Sequence, residues 1–436
     1  MTALGLVLLV TTLAAASPPD TSVRPLSLHD AVALAERNAP AVIHAMGQTR
    51  TTAASVRAAY GAFLPSISLS AGANRQLPTR KGQVIVVNGQ VQTLSSEPWS
   101  YSTGLSTNLV LFGGGQRFFQ LQESHAQADA ASVNLGEQRG LAALAAKQQF
   151  FNVLASIELE GAAAAQLEES RQQLAMSVLH LQARTVTRSD SLRSEILVHN
   201  AQLAVTQART SLDQANASLT RAVGTPYPVT AARGDSIGDE NLSLDDAALR
   251  QLAITGPAVQ LAESQRSAAR AALHITWTGY LPSVTASYGR TGSGASDQFA
   301  LTGNDLQYSG ALRLSVSLPV FDQLQRESRI SQARAVLEDA EVSCRDARLA
   351  ALETLAQSLG AYRAATERVA TQAATVEAAE EDLREHQEQY NVGISTLLDV
   401  LTSRTMIDQA RHDLIQARYD RRIAKAQLEA LIGRSL

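Results

Sequence analysis

Cysteine is almost missing from this chain: Cys344 is the only one among 436 residues. Intrachain disulfides are therefore excluded, and no thiol is placed to carry a lipid anchor near the start. Cys344 lies seven residues from both Leu337 and Ala351 and is read as a small packed hydrophobe. Proline is absent between Pro98 and Pro226 and again from Val320 to Leu436, so nothing in those two stretches breaks a helix. Beyond the first 17 residues no segment supplies the ~20 consecutive apolar residues that a membrane-crossing helix needs. An excess of either charge is lacking too. Lys and Arg number 37 against 41 Asp and Glu, and the net charge of -4 argues against nucleic acid as a partner. The eight histidines show no metal-ligand spacing, and no Gly-x-Ser-x-Gly element is present. Gly113-Gly114-Gly115 is without the Gly-Lys-Ser/Thr of a phosphate loop. No enzyme, metal or cofactor site is expected.

What is present begins with an apolar run, Leu4 to Leu13, followed by Ala14-Ala15-Ala16, which reads as a signal peptide over residues 1–16. The chain is then a tandem duplication. Leu26-Ser27-Leu28-His29-Asp30-Ala31 returns as Leu242-Ser243-Leu244-Asp245-Asp246-Ala247, Phe63-Leu64-Pro65-Ser66 as Tyr280-Leu281-Pro282-Ser283, and Leu109-Val110-Leu111-Phe112 as Leu318-Pro319-Val320-Phe321. An offset of about 216 residues is too long for a solenoid repeat, so two large equivalent units are implied. The first repeat covers 17–224, a linker 225–241, and the second repeat 242–436. Ser27 with Asp30, and Ser243 with Asp246, are set to cap the first helix of each repeat. Pro40 and Pro257 start a second one.

From Asp322 to Tyr390 the only glycine is Gly360, and good helix formers dominate. A helix of this length would run roughly 100 Å at 1.5 Å per residue. Tyr362, Val369, Val376, Leu383 and Tyr390 recur every seventh residue, the spacing of a coiled-coil seam. Tyr390-Asn391-Val392-Gly393-Ile394-Ser395-Thr396 then stops the helix, and a second run to Ile432 turns the chain back as a hairpin, 322–432. The first repeat predicts the same hairpin over 113–224, bending near Arg184 to Asp190.

Between the short and long helices the hydrophobic period changes to two. Ile67, Leu69, Ala71 and Ala73 alternate with serines and glycine over 66–75; Tyr101, Thr103, Leu105, Thr107, Leu109 and Leu111 do so over 99–111. Val284, Ala286 and Tyr288 (283–290) and Leu312, Leu314, Val316 and Leu318 (308–318) repeat the pattern. Four strands, apolar on one face and serine-rich on the other, suit a transmembrane barrel. The linking loops include a hairpin at Asn88-Gly89, and Trp99, Tyr101, Tyr288 and Tyr308 stand where an interfacial aromatic belt is expected. In lipid an open sheet edge is untenable and four strands cannot close. Several copies must therefore pool their strands.

With the paired Leu-Ser-Leu starts, the two Leu-Pro-Ser strand lead-ins and the tip sequence Tyr390-x-Val392-Gly393 followed by Asp399-Val400-Leu401, the chain resembles the TolC family of bacterial outer membrane efflux and secretion ducts. The fold class this implies is mainly α with β: two repeats of long coiled-coil hairpins forming an α-helical barrel across the periplasm, and four strands per chain pooled into a β-barrel. The resemblance further implies a homotrimer in the outer membrane of a Gram-negative-type bacterium, conducting passively what an inner-membrane transporter delivers through a periplasmic adaptor. In the family the second hairpin's tip closes the resting tunnel with a tyrosine, an arginine and aspartates. The tyrosine falls on Tyr390, and the aspartates on Asp399 and Asp190. Where the arginine and a second aspartate are expected, this chain has Ser395 and Thr402, and Arg188 or Arg184 is the candidate replacement cation. The competing readings are a periplasmic adaptor, which needs one hairpin with soluble β-domains, and a structural coiled coil, which needs no membrane strands.

Overall fold

The computed structural model describes residues 23–75, 84–87, 90–93, 99–183, 187–233, 245–296, 299 and 306–434. The signal-peptide reading, the Asn88-Gly89 turn, Arg184 and the Ser243 cap lie outside the described residues. In chain order the elements are β1 (Arg24–Leu26), α1 (Leu28–Asn38), α2 (Pro40–Gly61), β2 (Ser66–Arg75), β3 (Val84–Val87), β4 (Gln90–Thr93), β5 (Trp99–Gly113), α3 (Gln116–Gln182) and α4 (Arg188–Val223). The linker strand β6 (Val229–Ala231) comes next, and the second repeat follows with α5 (Asp246–Ala253), α6 (Pro257–Trp277), β7 (Ser283–Ser296), β8 (Gln307–Ser317), α7 (Gln325–Asn391) and α8 (Leu397–Ile432). The duplication is kept to the residue in the hairpins: α3 and α7 each have 67 residues, α4 and α8 each 36.

Two compact units form. One gathers the described parts of Met1–Ala45, Leu135–Pro257 and Ala350–Leu436. Ser27 caps α1, its Oγ accepting from the Asp30 backbone at 3.1 Å. In the second repeat Asp245, one residue before α5, performs the capping. A cluster of Ala31, Phe150, Phe151, Val153, Leu219, Val223, Val229 and Tyr419 closes one core of this unit; Leu249, Ala253, Leu355, Tyr362 and Leu428 close another. Burying such side chains is worth about 1.5–3 kcal/mol each, which is where helices this long find their stability. Of the seam residues, Tyr362 is buried and Val369, Val376, Leu383 and Tyr390 are half-buried. Polar rungs tie α3 to α8 in antiparallel register: Lys147 Nζ donates to Glu429 Oε2 at 2.5 Å, Tyr419 Oη to Glu158 Oε1 at 2.5 Å, Gln166 Nε2 to Asp408 Oδ2 at 2.6 Å, and Arg404 pairs with Glu169. Within the inter-repeat linker, β6 pairs parallel with β1, Leu26 opposite Ala231, a pairing too short to show as a period.

The other unit, Met46–Asn134 with Ala258–Leu349, holds a sheet of order β2-β5-β7-β8, antiparallel at every pairing. Register aligns the faces. Ile67, Thr107, Tyr288 and Leu312 form one cross-strand row, all on the apolar face, whereas Ser68 and Ser106 bond at 2.6 Å and Thr291 and Ser309 at 3.2 Å on the opposite face. Two differences from the alternation stand out. A bulge between Val110 and Phe112 skips Leu111, so Phe112 is the residue opposite Val284. β7 also runs on to Ser296 through Gly-, Ser- and Thr-rich sequence, because β5 and β8 on its two sides satisfy its backbone without any side-chain pattern. Of the expected belt, Tyr101 is covered by Trp99 and Phe299, with ring centroids 6.5 and 6.4 Å away, while Tyr288 and Tyr308 stay exposed.

Each repeat passes from strand to long helix through a left-handed turn: Gly114 and Gly115 at φ 62 and 82°, Gln323 and Leu324 at φ 57 and 62°. Side chains in that region cost about 1–2 kcal/mol each, so the second turn is strained where the first is not. An arginine locks each junction. Arg117 donates to Ala62 O and Leu111 O, both at 3.3 Å, and lies 5.1 Å from the Phe63 ring centre. Arg326 donates to Gly279 O at 3.3 Å and Val320 O at 3.2 Å, lies 4.7 Å from the Tyr280 ring, and pairs with Asp322. The forked guanidinium is what permits two carbonyls and one ring face to be held together.

Candidate functional site: the hairpin tips

The second tip is built by backbone rules. α7 ends at Asn391; Gly393, at φ 80°, takes the left-handed position a non-glycine would strain to reach. The amides of Ile394 and Ser395 return to Gln389 O at 2.9 and 3.3 Å, which reverses the chain in few residues. Thr396 then caps α8. Asp399 Oδ2 accepts from Thr396 N at 2.9 Å, from Thr396 Oγ1 at 2.6 Å and from Ser395 Oγ at 3.1 Å, while the Asp399 amide donates to Thr396 Oγ1 at 3.4 Å. The first tip repeats this capping box. Asp190 Oδ2 accepts from Thr187 N at 3.0 Å and Thr187 Oγ1 at 2.7 Å, and its amide donates back at 3.3 Å.

These bonds hold both carboxyls below the ordinary aspartate range. For Asp190 the bonds from Thr187 come first and the nearby Arg193 charge adds to them; for Asp399 the bonds from Thr396 and Ser395 lead and His386 contributes. Tyr390, half-buried at the end of α7, has its hydroxyl pushed up by burial first and by the negative charge of Asp190 second. Tyr390 of the second hairpin is thus within the field of Asp190 of the first. Asp399 sits in its own cap instead. Arg188 opens α4 with its side chain exposed, and the cation that bears on Asp190 is Arg193. Ser395 does not fill the vacant arginine role by charge; it donates to Asp399. Thr402 Oγ1 bonds back to Leu398 O at 2.8 Å, inside its own helix. Val392 and Ile394 project at the bend, 70% and 78% exposed. The sequence reading passed over Thr187, Arg193, Thr396 and His386. The signal for the two threonines was available as Thr-x-x-Asp before each apolar run.

A four-stranded sheet with an exposed apolar face, joined to two helical hairpins in a duplicated chain, defines a membrane channel of the strand-and-hairpin class. The chain belongs to the outer membrane efflux protein family, whose sequence pattern it matches over residues 31–225 and 248–434. It is 25% identical to protein CyaE of Bordetella pertussis over 80% of this chain and 71% of that one. It is 24% identical to outer membrane protein TolC of Escherichia coli over 65% of this chain, spanning 59% of TolC. Its fold superposes on the solved structure of CusC with a TM-score of 0.78 at 15% identity, covering 97% of this chain and 96% of CusC. The protein is an outer-membrane channel of the efflux or secretion type, mostly helical with the family's helical tunnel and strand arrangement. No helix among the described residues is long and apolar enough to cross a membrane.

Proposed function

We propose that this chain is the exit duct of a tripartite efflux or type I secretion system: a homotrimer that passively conducts substrate handed over by an inner-membrane transporter through a periplasmic adaptor. The observation that carries this is the sheet itself. Its apolar face leaves Ile67, Leu69, Leu312, Leu314 and Val316 between 66% and 81% exposed, which suits lipid and not water, and among the described residues the outer edges of β2 and β8 have no strand beside them. Three copies would pool twelve strands, within the range in which membrane barrels close. A periplasmic adaptor or a free coiled coil has no use for such a face. Val392, Ile394 and the Gly393 bend are the groups offered to the adaptor.

The gate reading centres on Tyr390 and Asp190, with Asp399 as a ring of three carboxylates at the constriction, favouring cations. Arg188 and Arg193 are the cations within α4 that would draw Asp190 into the closed network. Single-channel recording in planar bilayers tests it. Tyr390→Phe with Asp190→Ala is expected to raise the resting conductance, and Asp399→Ala to weaken block by divalent cations from the tip side. Because Asp399 also caps α8, Thr396→Ala is the needed comparison: it removes the cap and keeps the charge. Equal loss of block in both variants, or unchanged conductance in the first, would assign these residues to helix capping alone.

A further inference from the structure

The apolar face of the sheet changes character partway along its strands. On the side nearer the hairpins it carries aliphatic side chains: Ile67 and Leu312 in one cross-strand row, Leu109 and Leu314 in the next, then Val284 and Val316. Toward the loops it carries none larger than alanine, and Tyr308, Tyr101, Trp99 and Arg75 stand there among small residues. The boundary is the row Leu69–Leu105–Arg290–Gly310. The four strands hold three arginines, Arg75, Arg290 and Arg313, and no carboxylate. Arg313 pairs with Ser287 on the serine-rich face, so the two arginines of the apolar face have no acid in the sheet to neutralise them. Arg290 is exposed, its Cζ 4.9 Å from the centre of the Tyr308 ring, and among the described residues no carboxylate or carbonyl pairs with it. Two glycines make room for this arrangement. A Cβ on Gly292 would stand 2.7 Å from Tyr308 Cε1, so the ring lies across Gly292; a Cβ on Gly310, opposite Arg290, would stand 3.7 Å from the Tyr288 hydroxyl. The polar ends of Arg290 and Tyr288 thus gather at the boundary.

We infer that Arg290, with the hydroxyls of Tyr288 and Tyr308, binds the phosphate of a lipid headgroup in the outer leaflet. The inference rests on the proposed membrane-spanning role of the strands and adds a site on their lipid side. A lone arginine facing lipid is costly at the midplane and tolerated near the interface. Resting on Tyr308, the Arg290 guanidinium reaches two rows past Leu312, roughly 13 Å along the strand at about 3.3 Å per residue, close to the edge of an apolar band about 25 Å tall. Lipid phosphates lie at that level. The ring covers one face of the guanidinium and leaves its N–H edge free, and that edge takes two phosphate oxygens at once. Neither tyrosine hydroxyl is hydrogen-bonded among the described residues, so each has a proton to donate to the same group. With cations and no carboxylate, the face complements an anionic headgroup. Arg75, 5.5 Å from the Trp99 ring centre, repeats the pairing of cation and ring three rows further out, beyond the reach of the same phosphate.

Native mass spectrometry of the full chain in detergent, titrated with a diphosphorylated glucosamine lipid, tests this. Arg290→Gln should weaken retention of that lipid about ten-fold or more, and Tyr288→Phe by a smaller factor. Arg313→Gln, on the opposite face, should change it by less than about two-fold. Equal weakening by Arg290→Gln and Arg313→Gln, or no preference of the unaltered chain for the phosphorylated lipid over phosphatidylcholine, overturns the site. Displacement of the lipid by millimolar inorganic phosphate overturns it too, by making the ligand a free anion. Quenching of Trp99 by brominated phosphatidylcholine vesicles, in a Trp277→Phe background that removes the other tryptophan, reports separately on the membrane. Arg290→Gln should be quenched as the unaltered chain is, which distinguishes lost binding from failed insertion. Quenching kept with no phosphate preference overturns the headgroup site alone, and absent quenching overturns the spanning strands on which it rests.

Discussion

Leu312 is the most informative single position in the sheet. It is the sixth of the eleven residues of β8, pairs with Tyr288, and is 81% exposed in the chain. If that face meets lipid, Leu312→Arg places a guanidinium near the bilayer midplane, at a cost of about 2–4 kcal/mol per copy. With 1.4 kcal/mol to each factor of ten, the folded-to-unfolded ratio falls by about 30-fold to about 700-fold per copy. Ser315→Arg is the control. It lies on the other face, where Arg313 already stands, and the expected change is within about 0.5 kcal/mol. Urea titrations of folding into lipid vesicles, followed by intrinsic fluorescence, measure both. A soluble sheet would give the opposite ranking, since arginine replaces an exposed leucine there without penalty. Equal shifts for the two variants would refute the assignment of faces, and a neutral Leu312→Arg would refute the membrane reading altogether.

Acidification bears on the tips with a definite sign. Asp190 and Asp399 are lowered in the folded chain, so their capping contribution is complete above the ordinary aspartate value of about 3.9 and is lost as pH falls through the lowered one. Protection factors for amide exchange at 187–194 and 396–403 should be steady from pH 7 to about 5 and fall only below about 4; protection lost already near pH 6 would refute the assignment to these carboxylates. Thr396→Ala should cost about 1 kcal/mol at the start of α8, visible as faster exchange there and not at α4. Arg326→Gln, at a side chain 11% exposed, should cost about 2 kcal/mol in the same vesicle titration, with Arg326→Lys recovering less than half. Full recovery by lysine would mean that only the charge matters at that junction.

How much of this was legible beforehand varies with the kind of signal. The hairpins and the four strands are written in period: Tyr362 to Tyr390 at sevens, Ile67 to Ala73 at twos. Features that depend on neighbours are not. The extension of β7 to Ser296 draws on the two strands beside it, the bulge at Leu111 on a register set across β5 and β7, and the three-residue pair β1 and β6 is too short to carry a period. At the tips, Tyr390 was visible as the last seam aromatic. That Asp399 belongs first to the cap of α8 follows from local Thr-x-x-Asp spacing. That the charge of Asp190 bears on Tyr390 follows only from folding one hairpin beside the other.

The equality of α3 with α7 and of α4 with α8 makes length a collective quantity in this molecule. The rungs Lys147–Glu429, Glu158–Tyr419, Gln166–Asp408 and Glu169–Arg404 fix α3 against α8 at four heights. Seven residues added to α3 alone would slide its partners about 10 Å past them at 1.5 Å per residue. A lineage that had to bridge a wider gap could not grow one helix at a time. It would need coordinated insertions in both repeats, so the span of the passage changes in steps, and relatives of different reach should differ by matched insertions at corresponding points of the two halves.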